Sequence, residues 1–136
     1  PHSFGGYDYP WANASNTPFA WFKHWTHEGG VSTPFIFWYP AQVKSKMLHG
    51  MAHITDVMPT CVDLAKTSYP KEYEGNKITP TPGKSLLPYM AGKSKSVRDT
   101  IYWEHEGNKA LRIGDWKIVS RYDYEKNVQL DWEMYN

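Results

Sequence analysis

Three strand-like runs follow one another between Thr100 and Tyr122, each parted from the next by two residues suited to a tight turn. Thr100–Glu106, Lys109–Ile113 and Trp116–Tyr122 are the runs, and Gly107-Asn108 and Gly114-Asp115 lie between them. Glycine reaches the positive φ of a two-residue hairpin loop without steric cost, so this spacing predicts hairpins rather than crossovers. A fourth run, Gln129–Tyr135, completes an expected antiparallel meander.

Upstream of the meander the pattern changes. Residues 1–30 are rich in Gly, Pro, Asn and aromatics without a sustained period, which predicts a long irregular loop. Phe19, Trp21, Phe22 and Trp25 make that stretch too apolar for disorder. Gly29-Gly30 break the chain ahead of Phe35–Tyr39, an apolar run between Pro34 and Pro40 that fits a strand buried on both faces of a parallel or mixed sheet. A helix is expected from Thr55 as N-cap, with Asp56 at its positive end and Pro59 in its first turn. Val57, Met58, Cys61, Leu64 and Ala65 recur at helical steps as an apolar face, which makes Cys61 a small core residue. Residues 67–96 are a Pro/Gly-rich connector interrupted by one helical turn anchored by Leu86 and Leu87. The fold class expected is α/β with a small C-terminal antiparallel subdomain.

Charge and cysteine content exclude several classes of function. A net charge of +1 supplies no field for nucleic acid or an anionic membrane. The single Cys61 rules out an intrachain disulfide and a cysteine-based zinc cluster. No run approaches the roughly 20 apolar residues of a membrane span. Aromatic residues make up 16% of the chain, compatible with core packing or with a carbohydrate or aryl site. Both ends read as cut rather than finished, so the chain is expected to be a fragment.

The segment Asn16–Gly30 carries most of the chemistry. Lys23 sits among aromatics, one residue from His24 and four from His27. A lysine on a poorly solvated loop acts as a compact positive charge for an anionic ester; the alternative is a surface lysine whose stem lies along its apolar neighbours. His24, His27, Glu28, His49 and His53 lack the His-Glu-x-x-His order of a helical zinc site, so hydrogen-bonded or solvated histidines are expected. His53 is placed to satisfy backbone groups at the helix start, and Glu28 to anchor the glycine turn. Asn13-Ala14-Ser15 matches a glycosylation acceptor, a pattern too short to carry weight.

Two segments resemble the sulfatase family. In the first, Thr17-Pro18-Phe19, Lys23 and Glu28-Gly29-Gly30-Val31-Ser32-Thr33-Pro34 reproduce a lysine followed five positions later by Glu-Gly-Gly and a strand into Pro. The second, His53–Ala65, is similar to the helix that follows in that family. Gly83–Pro88, Glu104–Asn108 and Ala110–Lys117 match in the same order. The resemblance implies part of an alkaline-phosphatase-like sulfatase fold: 1–66 as the end of the catalytic α/β domain, 67–98 as connector, and 99–136 as the antiparallel subdomain.

It also implies hydrolysis of aryl or carbohydrate sulfate esters by formylglycine, with a divalent cation, usually Ca2+, holding the sulfate. Lys23 falls on the sulfate-contacting catalytic lysine, with His24 beside it as a second substrate contact; neither His24 nor His27 matches a catalytic position of the family. The pattern departs elsewhere. Formylglycine arises from Cys or Ser in Cys/Ser-x-Pro-x-Arg, but Ser32-Thr33-Pro34 runs into Phe35-Ile36 and Cys61 into Val62-Asp63. The Asp-Asn-Gly metal segment does not occur, and Ala20 stands where many members have a basic residue. Nucleophile and metal ligands are therefore expected from the rest of a sulfatase chain, with no metal ligand in these residues. A phosphate or phosphonate esterase of the same superfamily and a carbohydrate-binding module are the alternatives. The sequence assigns no compartment; the resemblance is compatible with a periplasmic or secreted one.

Overall fold

The computed structural model describes residues 5, 6 and 8–136. Helices α1 (Tyr9–Ser15), α2 (Glu28–Val31) and α3 (Val57–Leu64) are followed by strands β1 (Glu72–Tyr73) and β2 (Asn76–Lys77) and by helix α4 (Leu87–Met90). Strands β3 (Thr100–His105), β4 (Asn108–Ile113), β5 (Trp116–Ser120), β6 (Tyr122–Asp123), β7 (Val128–Gln129) and β8 (Glu133–Tyr135) complete the order. The chain divides into two compact units, one joining Pro1–Ile36 to Thr100–Asn136 and the other formed by Phe37–Asp99.

The first unit is built on the antiparallel sheet β3-β4-β5-β8. Its hairpins close as the turn chemistry requires. Glu106 and Gly107 both have positive φ (49° and 74°) and link His105 to its partner Asn108 in a two-residue loop. Asn108 is thus the first residue of β4 rather than part of the turn, and its buried amide explains its presence. Its Nδ2 donates to the carbonyl of His105 at 3.2 Å, and its Oδ1 accepts from the Tyr122 amide at 3.2 Å. Gly114, with φ 57°, opens the second loop, joining the paired Ile113 and Trp116. The expected fourth run begins late. Val128–Gln129 folds back on Tyr122–Asp123, and only Glu133–Tyr135 joins the main sheet, beside β5.

Strand alternation sends Ile101, Ala110, Lys117 and Val119 to one face, where all are buried, and leaves Tyr102, Ile113 and Met134 exposed on the other. The N-terminal segment of the same unit is held to the sheet through Thr26, His27 and Glu28. It is less irregular than its composition suggests. Pro10 at the start of α1 has its φ already set for a helix, and Glu28–Val31 form one helical turn. The glycosylation-like Asn13 lies in α1, where its Oδ1 accepts from the Trp21 amide at 3.0 Å.

The second unit centres on Asp56, which is fully buried. Its carboxylate accepts from the amides of His53 (2.7 Å) and Lys84 (2.9 Å) and pairs with Arg98. The helix start lies two residues before Thr55. A 3-10 turn at Ile54–Asp56 precedes α3, and His53 caps it by accepting from the Thr55 amide while Asp56 reaches back, a reciprocal capping box. Thr60 is the buried residue of α3; its hydroxyl donates to the Asp56 carbonyl and accepts from the Leu86 amide. Leu86, Tyr89 and Met90 around α4 form the apolar core of this unit.

Two expectations are overturned here. Cys61 is exposed, not core, because α3 packs through Asp56 and Thr60 and leaves Met58 and Cys61 outward. Phe35–Tyr39 is not a strand: no backbone ladder pairs it among the described residues, and Phe35, Ile36 and Trp38 are exposed. An apolar run becomes a buried strand only when neighbouring strands satisfy its backbone, and prolines on both sides weaken pairing further.

Candidate functional site

The segment from Asn16 to Val31 is held onto the sheet by a row of side-chain contacts. Asn16 bridges it from within, its Nδ2 donating to the carbonyls of Trp21 (3.0 Å) and Gly29 (3.1 Å). Thr26, fully buried, donates to the Lys109 carbonyl at 3.1 Å. His27, also buried, places Nε2 3.1 Å from the Glu133 carboxylate. Glu28 pairs with Lys117 at 2.6 Å, so its carboxylate reaches across to β5 rather than tying off the glycine turn. Gly29 and Gly30 are required for contact, not for φ. A Cβ on Gly29 would lie 2.0 Å from the Trp21 carbonyl oxygen, and one on Gly30 1.9 Å from that of Trp25.

Burial and hydrogen bonding shift the titration of these anchors. Loss of solvation holds the His27 imidazole below its usual range, although the nearby Glu133 carboxylate works the other way. The hydrogen bond from Tyr135 lowers Glu133, with His27 contributing in the same direction. Lys117 is lowered by burial, opposed by its Glu28 partner, and its ammonium also lies 5.0 Å from the Trp103 ring centre. Breaking such a pair strands a charge in a poorly solvated place, so the motif loop and the sheet depend on each other.

Lys23 differs from these residues. It is exposed and enters no salt bridge among the described residues. It lines a cleft of about 540 Å³ together with Asn16, Phe22, Gly30 and Thr33. Four positions after it the loop is locked by His27, and the rings of Trp21 and Trp25, two residues to either side of Lys23, pack against each other (4.8 Å between centres). A cation with no internal partner, carried on a fixed backbone, is the arrangement that binds an anion with little reorganisation.

His24 turns a different way. With φ at 97° it directs Nδ1 to the Glu106 carboxylate at 2.5 Å, and its ring centre stands 5.8 Å from that of His105. Of the other histidines weighed in the sequence, His53 is a cap and His49 is exposed, so neither joins this group. The hairpin residue Glu106 and the sheet residues Lys117 and Glu133 were not legible as partners of the loop. Their meeting depends on register across a hundred residues of chain, for which local spacing carries no signal.

His24, His105 and Glu106 are the one cluster of three metal-capable side chains among the described residues. Two imidazoles and one carboxylate do not fit calcium, which takes about six to eight oxygen ligands. Among the described residues, this cluster is therefore not suited to the calcium that the family resemblance implies.

Residues 18–136 match the family profile described as N-sulphoglucosamine sulphohydrolase, C-terminal. Among curated proteins the chain is 27% identical to an uncharacterized sulfatase of Schizosaccharomyces pombe, over 99% of this chain and 25% of that protein. It is 29% identical to N-acetylgalactosamine-6-sulfatase of Canis lupus familiaris over 79% of this chain and 20% of the relative. With arylsulfatase A of Bos taurus it shares 32% identity over 70% of this chain and 18% of the relative. The chain thus spans a quarter or less of the length of these relatives.

Proposed function

This chain belongs to the sulfatase family as a C-terminal domain of small antiparallel sheets and few helices, and from that premise we propose that the protein carrying it hydrolyses sulfate esters. In this reading the rest of the chain forms an alkaline-phosphatase-like α/β domain that holds the formylglycine nucleophile and the divalent cation. In this reading neither the nucleophile nor a ligand of that cation comes from the described residues.

Their contribution is Lys23. The observation that supports it is the contrast within one loop: Thr26, His27 and Glu28 are each tied to the sheet, while the ammonium of Lys23 has no ion-pair partner among the described residues and lies beside a cleft. Such a charge neutralises the sulfate of the bound ester and the negative charge that grows on the leaving oxygen as the S–O bond breaks. His24 is the adjacent substrate contact. Its Nδ1 is taken by Glu106, leaving Nε2 for a hydroxyl or sulfate oxygen of the substrate. Ala20, in the same loop, stands where the resemblance would place a basic residue, which leaves Lys23 as the loop's cation in this reading. Relatives named arylsulfatase A and N-acetylgalactosamine-6-sulfatase support aryl and carbohydrate sulfates as the proposed substrate class.

The test is a side-by-side assay of the full-length protein on an aryl sulfate, a sulfated monosaccharide and the matching phosphate esters. Faster turnover of the sulfate esters is expected. Preference for the phosphates would transfer the chain to the phosphate or phosphonate esterases that share the fold.

A further inference from the structure

We propose that His24, His105 and Glu106 form a binding site for a first-row transition ion of the zinc class, distinct from the oxygen-ligand cation site expected elsewhere in the protein. The ligand atoms come from two places far apart in sequence and all lie within 4.8 Å of one another. Zinc bonds of about 2.0–2.1 Å in a tetrahedron put neighbouring ligand atoms about 3.3 Å apart. The His24 Nδ1 to Glu106 Oε2 distance of 2.5 Å must open slightly, and the His105 Nε2 to Glu106 distance of 3.9 Å must close slightly. Both shifts are within the reach of side-chain rotation.

The backbone is shaped for this convergence. His24 and Glu106 both hold positive φ, a conformation non-glycine residues adopt at a cost and which the surrounding structure must enforce. Enforcement is visible. The His24 ring packs edge-on against Trp25 (4.8 Å) and beside Tyr124 (5.7 Å), and the Tyr124 hydroxyl donates to the Glu106 carbonyl. Beneath the turn, the Tyr122 ring closes on Gly107 so tightly that a Cβ there would sit 2.7 Å from it. The side chains of His105 and Glu106 are 60% and 54% exposed, which leaves an entry path and room for water as the fourth ligand. Two imidazoles with one carboxylate suit zinc-class ions and suit calcium or magnesium poorly. A bound ion would stitch the loop of Lys23 to the β3–β4 hairpin.

The experiment is calorimetric titration of the full-length protein with zinc chloride, calcium being kept in excess so that oxygen-ligand sites do not take up the probe. It is run on the natural protein and on His105→Ala and Glu106→Gln, whose exposed side chains can be changed without disturbing a core. His24 is left in place because it adjoins Lys23. The natural protein should bind one zinc equivalent that each variant loses or binds at least about tenfold more weakly, and zinc should raise the melting temperature of the natural protein alone. Equal stoichiometry and affinity in all three proteins, or no zinc uptake by the natural one, would overturn the site. Neither readout uses a substrate, so the result stands apart from the sulfatase assay.

Discussion

Asn16–Val31 and Phe35–Tyr39 are neighbours in sequence with opposite fates. The first has no regular period and was expected to be an irregular loop, yet it is fixed to a sheet by Thr26, His27 and Glu28 and packed so closely that Gly29 and Gly30 admit no side chain. The second has the composition of a core strand and stands exposed. Order follows the availability of partners rather than local pattern. The loop finds carbonyls and charged groups on β4, β5 and β8, whereas the apolar run finds no strand to pair with among the described residues.

Substitutions can break this comparison. The largest stability effect is expected from Gly30→Ala, because the new Cβ would fall 1.9 Å from a backbone carbonyl that is itself fixed. It should cost about 3 kcal/mol or more by chemical denaturation, while Gly5→Ala, with nothing within 4 Å, should be neutral. Lys117→Met removes the partner of Glu28 and should cost about 2 kcal/mol, less than a fully buried pair because Glu28 keeps some solvent. A loss below about 0.5 kcal/mol would show that the loop does not depend on that pair.

Acid sharpens the same point. His27 is held below its ordinary pKa by burial, so the unfolded chain binds the proton more readily than the folded one. Stability is therefore full above the ordinary imidazole range of about 6.5 and falls as the pH is lowered through it. Glu133, also lowered, adds a further loss below the ordinary carboxylate range. Melting temperatures measured across that window should fall on the acid side, and a flat profile would contradict the burial of His27. The smallest effect is expected from Ile36→Ser, within about 0.5 kcal/mol in this 136-residue chain because Ile36 is 91% exposed.

The sequence was informative wherever structure is local. The β3–β4–β5 meander, the Gly114 turn and the short helix near Leu86 follow from turn residues and strand composition, and His53 at the helix start was foreseeable from its position. Two of the errors share a cause. Cys61 and Phe35–Tyr39 were placed by pattern in a core, but an apolar face records only what a segment can bury. Of the candidate site, Lys23 and the glycine pair were legible as a motif. Glu106, Lys117 and Glu133, which hold the loop around Lys23, became visible only with the strand register.

Lys23, which has no ion-pair partner among the described residues, is the charge on which the proposed sulfate chemistry depends most. Its direct test is the aryl-sulfate kcat/KM of Lys23→Ala in the full-length protein, with the melting temperature measured in parallel. Because Lys23 is exposed and unpaired among the described residues, the melting temperature should not move, while kcat/KM should fall by about 10²–10³-fold. Near-normal turnover at an unchanged melting temperature would contradict the account.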